Sequence, residues 1–367
     1  MQIISADIPA AAHHLSPPEN SGEFADLNRA DQTCLSGADL RGVNLSHSNL
    51  HGVDMVAADL RQADLRGTIL SGVLLQKANL AGANLAGAYL FKTNLRSADL
   101  QGANLRQANL GKADLSGATL RGAVLVGANL TEAFLFGADL HGALLRRASL
   151  RGAGLGGVQL SGAVLQAADL DCAGLAGANL SHANLNGANL RRANLYGANL
   201  SEARLAGADL TGASLDGACL FKADLRGAIL CGTILDGTNL SGASLEHADL
   251  EGARLRSANL NGADLSCACL RNARLEHARL QMASLGSSTL CGADLSSADA
   301  RLADLTGADL AGACLQGTNL EEAILHGTNL YEANLMGASL KGAQLTNAVL
   351  PNGKKKRRFT GLKRYTG

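Results

Sequence analysis

Ala78-Asn79-Leu80-Ala81-Gly82-Ala83-Asn84-Leu85-Ala86-Gly87 holds two copies of one five-residue phrase, and that phrase runs through most of the chain. Leu recurs at every fifth position from 35 to 350, broken only by Met55 and Ala300. Two residues ahead of each such position stands Ala in 51 of 64 cases, and the 13 exceptions are all Val, Thr or Ser. A period of five fits neither an α-helix nor a plain strand, so the backbone has to turn a corner in each unit. Ala and Leu therefore point inward, and the other three residues of each unit face outward. The residue before Leu is commonly Asp or Asn, whose side chains fold back onto nearby amides and favour turns. The second residue after Leu is most often Gly, as at Gly82, Gly87 and Gly207, where a sharp bend carries least steric cost for a residue without Cβ.

Reading outward, the repeat overrides the usual expectation of two or three domains for 367 residues. The four prolines are Pro9, Pro17, Pro18 and Pro351, all outside the array, as expected where every backbone donor is needed. Residues 1–23 read as a flexible N-terminal segment, 24–350 as the array, and 351–367 as a basic, disordered tail. Residues 1–23 lack the features of a signal peptide, and no run is long and apolar enough for a spanning helix. The formal net charge of zero is a balance. Residues 28–350 hold 25 basic and 28 acidic side chains, against seven basic ones in the tail.

Units such as Ala78-Asn79-Leu80-Ala81-Gly82 and Ala183-Asn184-Leu185-Asn186-Gly187 resemble the pentapeptide-repeat family, with consensus A-(D/N)-L-x-x, over about residues 24–350. The resemblance implies an all-β fold: a right-handed quadrilateral β-helix with four pentapeptides per coil and about sixteen coils. At the usual strand spacing such a stack is about 75–80 Å long. Residues 20 apart then become neighbours. Opposite charges at that spacing include Arg151–Asp171–Arg191, Glu202–Lys222, Arg204–Asp224, Arg226–Glu246, Glu251–Arg271, Arg256–Glu276, Arg279–Asp299 and Arg301–Glu321. These columns are expected to pair across coils.

Chemistry is sparse. The eight cysteines are all at outward positions with no two 20 apart, which argues against bridges between adjacent coils and for reduced thiols in the cytoplasm. Cys267-Ala268-Cys269 offers two soft ligands and no visible third. The nine histidines show no metal-binding or catalytic spacing, and no phosphate-binding loop occurs. A filled axis leaves no deep pocket. No enzyme, no cofactor and no metal site are expected.

Outward apolar residues supply the candidate partner-binding surface. Val124, Leu144 and Val164 form one column with Val126 beside it, Phe134 and Phe136 lie half a coil away, and Ile69, Tyr89 and Phe91 share another column. Such patches mark contact surfaces, although branched and aromatic residues also simply suit strands. A second candidate is electrostatic: Lys354, Lys355, Lys356, Arg357 and Arg358 could meet phosphate-bearing partners such as nucleic acid or an acidic membrane. Ala300, with Leu302 two residues on, is expected to mark a core defect or bulge between 286 and 302.

Three functions follow. The first is a rigid scaffold that binds an unidentified protein partner. The second comes from a branch of the family, the quinolone-resistance-type proteins, which resemble duplex DNA and protect gyrase and related type II topoisomerases. The near-neutral array and the preference for Leu over Phe at the central position depart from that branch. The third is contact with nucleic acid or membrane through the basic tail.

Overall fold

One hydrogen-bonding unit repeats at each pentapeptide. In the computed structural model, which describes residues 34–355, the Leu80 N–H donates to the Asp99 carbonyl at 2.6 Å and the Leu85 N–H to Asn104 at 2.7 Å. The residue before Leu donates the other way, as Asn79 does to the Ala58 carbonyl at 2.9 Å. The two bonds make parallel bridges between residues twenty apart, such as Asn84 with Asn104. Between bridges the Ala83 N–H donates to the Leu80 carbonyl at 2.9 Å, closing a tight turn over Ala81 and Gly82. One coil thus takes twenty residues, and the chain is a β-helix with no α-helix among the described residues.

The chain divides into two units, Met1–Asn179 and Leu180–Gly367. Each carries this ladder: Ile69 bridges Tyr89 in the first, and Asp249 bridges Cys269 in the second. Each is lined by the same two positions. Ala83 and Leu85 in the first unit, and Ala213 and Leu215 in the second, are fully buried, and Met55 replaces Leu without loss of burial. A fully buried Leu contributes about 1.5–3 kcal/mol, so the ladder supplies most of the cohesion.

The turn makes one demand the repeat does not advertise. From Gly37 to Asn347 the second residue after Leu has φ between +53° and +77° at every unit. Glycine accepts this freely, but 28 of these residues are not Gly, among them Lys92, Met282 and Leu302. Each such residue costs about 1 kcal/mol or more in the left-handed region, so it is the coil that imposes the corner and glycine only relieves it.

The small inward site admits hydroxyls because an acceptor is in reach. Thr68 Oγ1 donates to the Leu45 carbonyl at 2.9 Å, Thr93 to Leu70 at 2.7 Å, and Thr233 to Leu210 at 2.9 Å. Ser48 and Ser288 use the nearer carbonyls of Leu45 and Leu285. Each of these inward hydroxyls is satisfied, as burial requires.

No bulge forms at Ala300. Asp299 bridges Asn319 in register, and the Ala300 N–H donates to the Asn319 carbonyl at 2.8 Å. The backbone ladder tolerates a missing side chain, so the defect is a cavity of about 10 Å³ lined only by Ala300 and leucines such as Leu280, Leu295 and Leu320. That is space for about one water molecule, with no polar partner to hold it. Leu302, meanwhile, sits at a turn with 51 % of its surface exposed.

The disorder expected of the basic run does not extend to its first residues. Pro351, Asn352 and Gly353 turn the chain back, Leu350 donates to the Lys354 carbonyl at 2.9 Å, and Lys355 bridges Val349 in antiparallel register. This return covers part of an edge that would otherwise template pairing with another chain. Lys356, Arg357 and Arg358 lie outside the described residues, as do 1–33.

Candidate functional site

Outward side chains are organised first by the turn. The carboxylate or amide oxygen before Leu accepts the N–H after it, as Asn79 does from Ala81 at 3.1 Å and Asp264 from Ser266 at 2.9 Å. Where an Arg follows Leu, it returns to the same carboxylate. Arg61 places Nε 2.9 Å from Asp59 Oδ1 and Nη2 2.6 Å from Oδ2. Arg66 forks onto Asp64, Arg226 onto Asp224 and Arg301 onto Asp299 in the same way. The guanidinium beside each of these aspartates holds its carboxyl below the usual range. For Asp39, paired with Arg41, the value falls to about 2.

This local pairing corrects the expectation of charge columns. Arg151 with Asp171 at 3.1 Å and Arg256 with Glu276 at 3.1 Å do pair across one coil. Among the described residues, Glu202–Lys222, Arg204–Asp224, Arg226–Glu246, Glu251–Arg271, Arg279–Asp299 and Arg301–Glu321 form no direct ion pair. The nearer partner wins: Arg226 and Arg301 take the Asp two residues back, and the Lys222 ammonium sits 5.1 Å from the ring centre of Phe221. Other turn residues lean onto the next coil at a spacing of eighteen, as Arg96 does to Asp114 at 3.0 Å.

The apolar candidates fall into three patches, all in the first unit. Ile69 and Tyr89 are bridged neighbours, 41 % and 55 % exposed, and Phe91 lies beside them against Gly111 with the Lys92 ammonium 5.5 Å from its ring centre. Val124, Leu144 and Val164 bridge in one column but are only half-exposed. Val126 borders a shallow depression with Ala86, Gly87, Arg106 and Gln107. Phe134 and Phe136 stack at 6.1 Å between ring centres. Phe136 also lies over Gly154, where a Cβ would meet its Cζ at 2.6 Å. The glycine at 154, in a position usually Asp or Asn, therefore seats that ring; its place one coil beyond Phe134 was the available signal. Exposed apolar residues outside 69–165 went unnoticed in the sequence: Tyr196, Met282, Tyr331 and Met336 are 47–70 % exposed.

Cysteines remain thiols among the described residues, and Cys291 donates to Asp309 at 3.0 Å. His141 pairs with Asp139 at 2.6 Å within the same turn motif. No helix among the described residues is long and apolar enough to cross a membrane.

Comparison with known proteins agrees with the repeat geometry. The profile of pentapeptide repeats (8 copies) matches in overlapping segments from 33–72 to 313–352. HetL, a pentapeptide repeat protein involved in heterocyst differentiation regulation in the cyanobacterium Nostoc sp. strain PCC 7120, is 36 % identical over 70 % of this chain and 91 % of its own, with a TM-score of 0.29. Rfr23 from the cyanobacterium Cyanothece 51142 is 38 % identical over 28 % of this chain and 63 % of its own, with a TM-score of 0.19. QnrB1, a plasmid-mediated fluoroquinolone resistance protein, is 15 % identical over 64 % of this chain and 92 % of its own, with a TM-score of 0.18. Comparison with curated proteins gives no match. From a five-residue ladder closed into twenty-residue coils, and from a profile that spans nearly all of it, the chain belongs to the pentapeptide-repeat family.

Proposed function

We propose that the protein is a non-enzymatic scaffold whose outward side chains bind a protein partner in the cytoplasm. The finer geometry belongs to the same reading: a right-handed, four-sided coil repeated about sixteen times between residues 24 and 350, flanked by a flexible N-terminal segment and a basic tail. Support for the coil comes from bridges at twenty residues and turns at every fifth. Free thiols that donate hydrogen bonds fit a reducing compartment.

The observation that carries the partner reading is the patch of Ile69, Tyr89 and Phe91, where three apolar side chains on adjacent outward positions face solvent at 38–55 % exposure. Aromatic groups of this kind, one side apolar and rimmed by a cation such as Lys92, are favoured at protein interfaces. Against an interior site stands the core itself, whose cavity at Ala300 is far below the several hundred cubic ångströms of a ligand pocket. A photo-crosslinking residue placed at Tyr89 or Phe91 is expected to capture a specific protein in cells of the source organism. The same probe at Asp304, on the second unit, serves as the control. Equal capture at both places would end the assignment of this patch.

DNA mimicry toward a topoisomerase requires dense, uncompensated negative charge. Asp59, Asp64, Asp224 and Asp299 are each neutralised by their own Arg, which favours the protein-partner reading over that alternative.

A further inference from the structure

One cluster in the second unit is not absorbed by the ion-pair pattern. Cys231 and Glu251 are the first turn residues of consecutive coils, after Leu230 and Leu250. Asp249 and Cys269 precede Leu250 and Leu270 and bridge each other in parallel register. First turn residues lean onto the residue eighteen positions on, as Cys291 does on Asp309 at 3.0 Å. The same lean carries Cys231 to Asp249 and Glu251 to Cys269. Donor atoms of Asp249, Glu251 and Cys269 accordingly lie within 4.8 Å of one another, and Cys231 stands eighteen residues before Asp249, in the register of that lean.

Two features of this group bear on a cation. Asp224 and Asp299 each hold an Arg fork, whereas no Lys or Arg forms an ion pair with Asp249 or Glu251 among the described residues. The four side chains also hang from fixed backbone. Leu230 donates to the Asp249 carbonyl at 2.6 Å, Gly232 to Glu251 at 2.9 Å and Leu250 to Cys269 at 2.7 Å. Asp249 Oδ1 accepts the Glu251 N–H at 3.1 Å, which orients the carboxylate and leaves its second oxygen for a thiol or a cation.

We propose that Cys231, Asp249, Glu251 and Cys269 bind a thiophilic divalent cation of the Zn²⁺ class. Two thiolates and two carboxylates complete a tetrahedral set, and the thiols exclude a preference for Mg²⁺ or Ca²⁺. Tetrahedral bond lengths put donors roughly 3.5 Å apart; Asp249, Glu251 and Cys269 already lie within 4.8 Å of one another, and Cys231, outside that group, is the fourth donor. The Cys-x-Cys pair visible in the sequence is not the site. Cys267 occupies the left-handed turn position (φ +59°), is exposed, and is not among the clustered ligands.

Co²⁺ added to the reduced, chelator-treated full-length protein tests this. The expected result is one ion per chain with a thiolate-to-Co²⁺ charge-transfer band and tetrahedral visible bands, both displaced by Zn²⁺. Cys231→Ser and Cys269→Ser should abolish the bands, and Glu251→Gln should weaken binding about tenfold or more, the scale on which ligand-sphere changes act. Cys267→Ser should leave both unchanged. Because all four positions face outward, thermal unfolding of the metal-free variants should match wild type and so separate lost binding from lost fold. Absence of a thiolate band at millimolar Co²⁺, or a Cys267→Ser variant that behaves like Cys269→Ser, overturns the proposal.

Discussion

Arg226 grips the carboxylate of Asp224, two residues back, through Nε–Oδ1 at 2.8 Å and Nη2–Oδ2 at 2.7 Å, while Leu225 between them is fully buried. One tripeptide thus supplies core, turn and charge neutralisation together. Its recurrence at 39–41, 59–61, 64–66 and 299–301 makes the outward surface locally balanced rather than banded.

Acid should weaken the fold through these pairs. The folded pKa values of Asp39, Asp59, Asp64, Asp224 and Asp299 lie below the ordinary 3.8, with Asp39 at about 2. A depressed folded pKa means the unfolded chain binds more protons, so the contribution is present above pH 3.8 and is lost as pH falls toward 2. Denaturant midpoints measured at pH 7 and pH 3 should differ, and the combined variant D59N/D64N/D224N/D299N should flatten that difference. An unchanged slope would show that other carboxylates govern it.

Filling the cavity should stabilise the second unit. Ala300→Leu restores the inward residue between Leu280 and Leu320, and by the known cost of the reverse change it should add about 1–3 kcal/mol. Leu302→Gly, which relieves a left-handed, half-exposed Leu, should add up to about 1 kcal/mol. Equilibrium unfolding of the two single variants and the double variant checks both numbers and their coupling.

Inward and outward positions should differ sharply in tolerance. Leu185→Asp buries an unpaired charge in a fully apolar site and should abolish cooperative unfolding, whereas a change at the outward Ala81 to Asp should alter the midpoint little. Circular dichroism and a thermal melt distinguish them.

Thr233→Val should cost no more than about 1 kcal/mol. The Leu210 carbonyl that loses the hydroxyl still accepts the Ala213 N–H at 2.9 Å, and Val already occupies the equivalent place at 43, 53, 73 and 158. A much larger loss in denaturation would mean that the hydroxyl is needed to satisfy that carbonyl.

Supercoiling by purified gyrase should proceed unaltered in the presence of micromolar protein. With basic and acidic side chains nearly balanced along the array and aspartates such as Asp224 and Asp299 paired to Arg, the outward surface lacks the field a DNA competitor needs. Inhibition or protection in that assay would restore the topoisomerase reading.

Legibility of the sequence followed the strictness of each physical demand. Leu80 and Ala83 announce themselves because an inward site accepts one size and no charge, and Asp or Asn before Leu announces its turn because its oxygen has an amide within reach. Arg226 was legible as a charge but not as a partner of Asp224, since a flexible side chain can reach two residues back, eighteen on or twenty on with similar ease. The bulge expected at Ala300 did not occur, because the ladder is held by backbone groups that no side chain supplies.

By itself, then, the sequence determined the β-helix, its inward pair of residues and its corners, since periodic burial leaves a five-residue repeat few other ways to satisfy its core and its backbone. Only the tertiary structure decided which outward groups meet: that Phe136 lies on Gly154, that Lys355 closes back on Val349, and that Cys269 stands with Asp249 and Glu251 instead of with Cys267. Those meetings depend on the stacking of successive coils and on the lean of each turn, which set distances that no spacing along one coil can state.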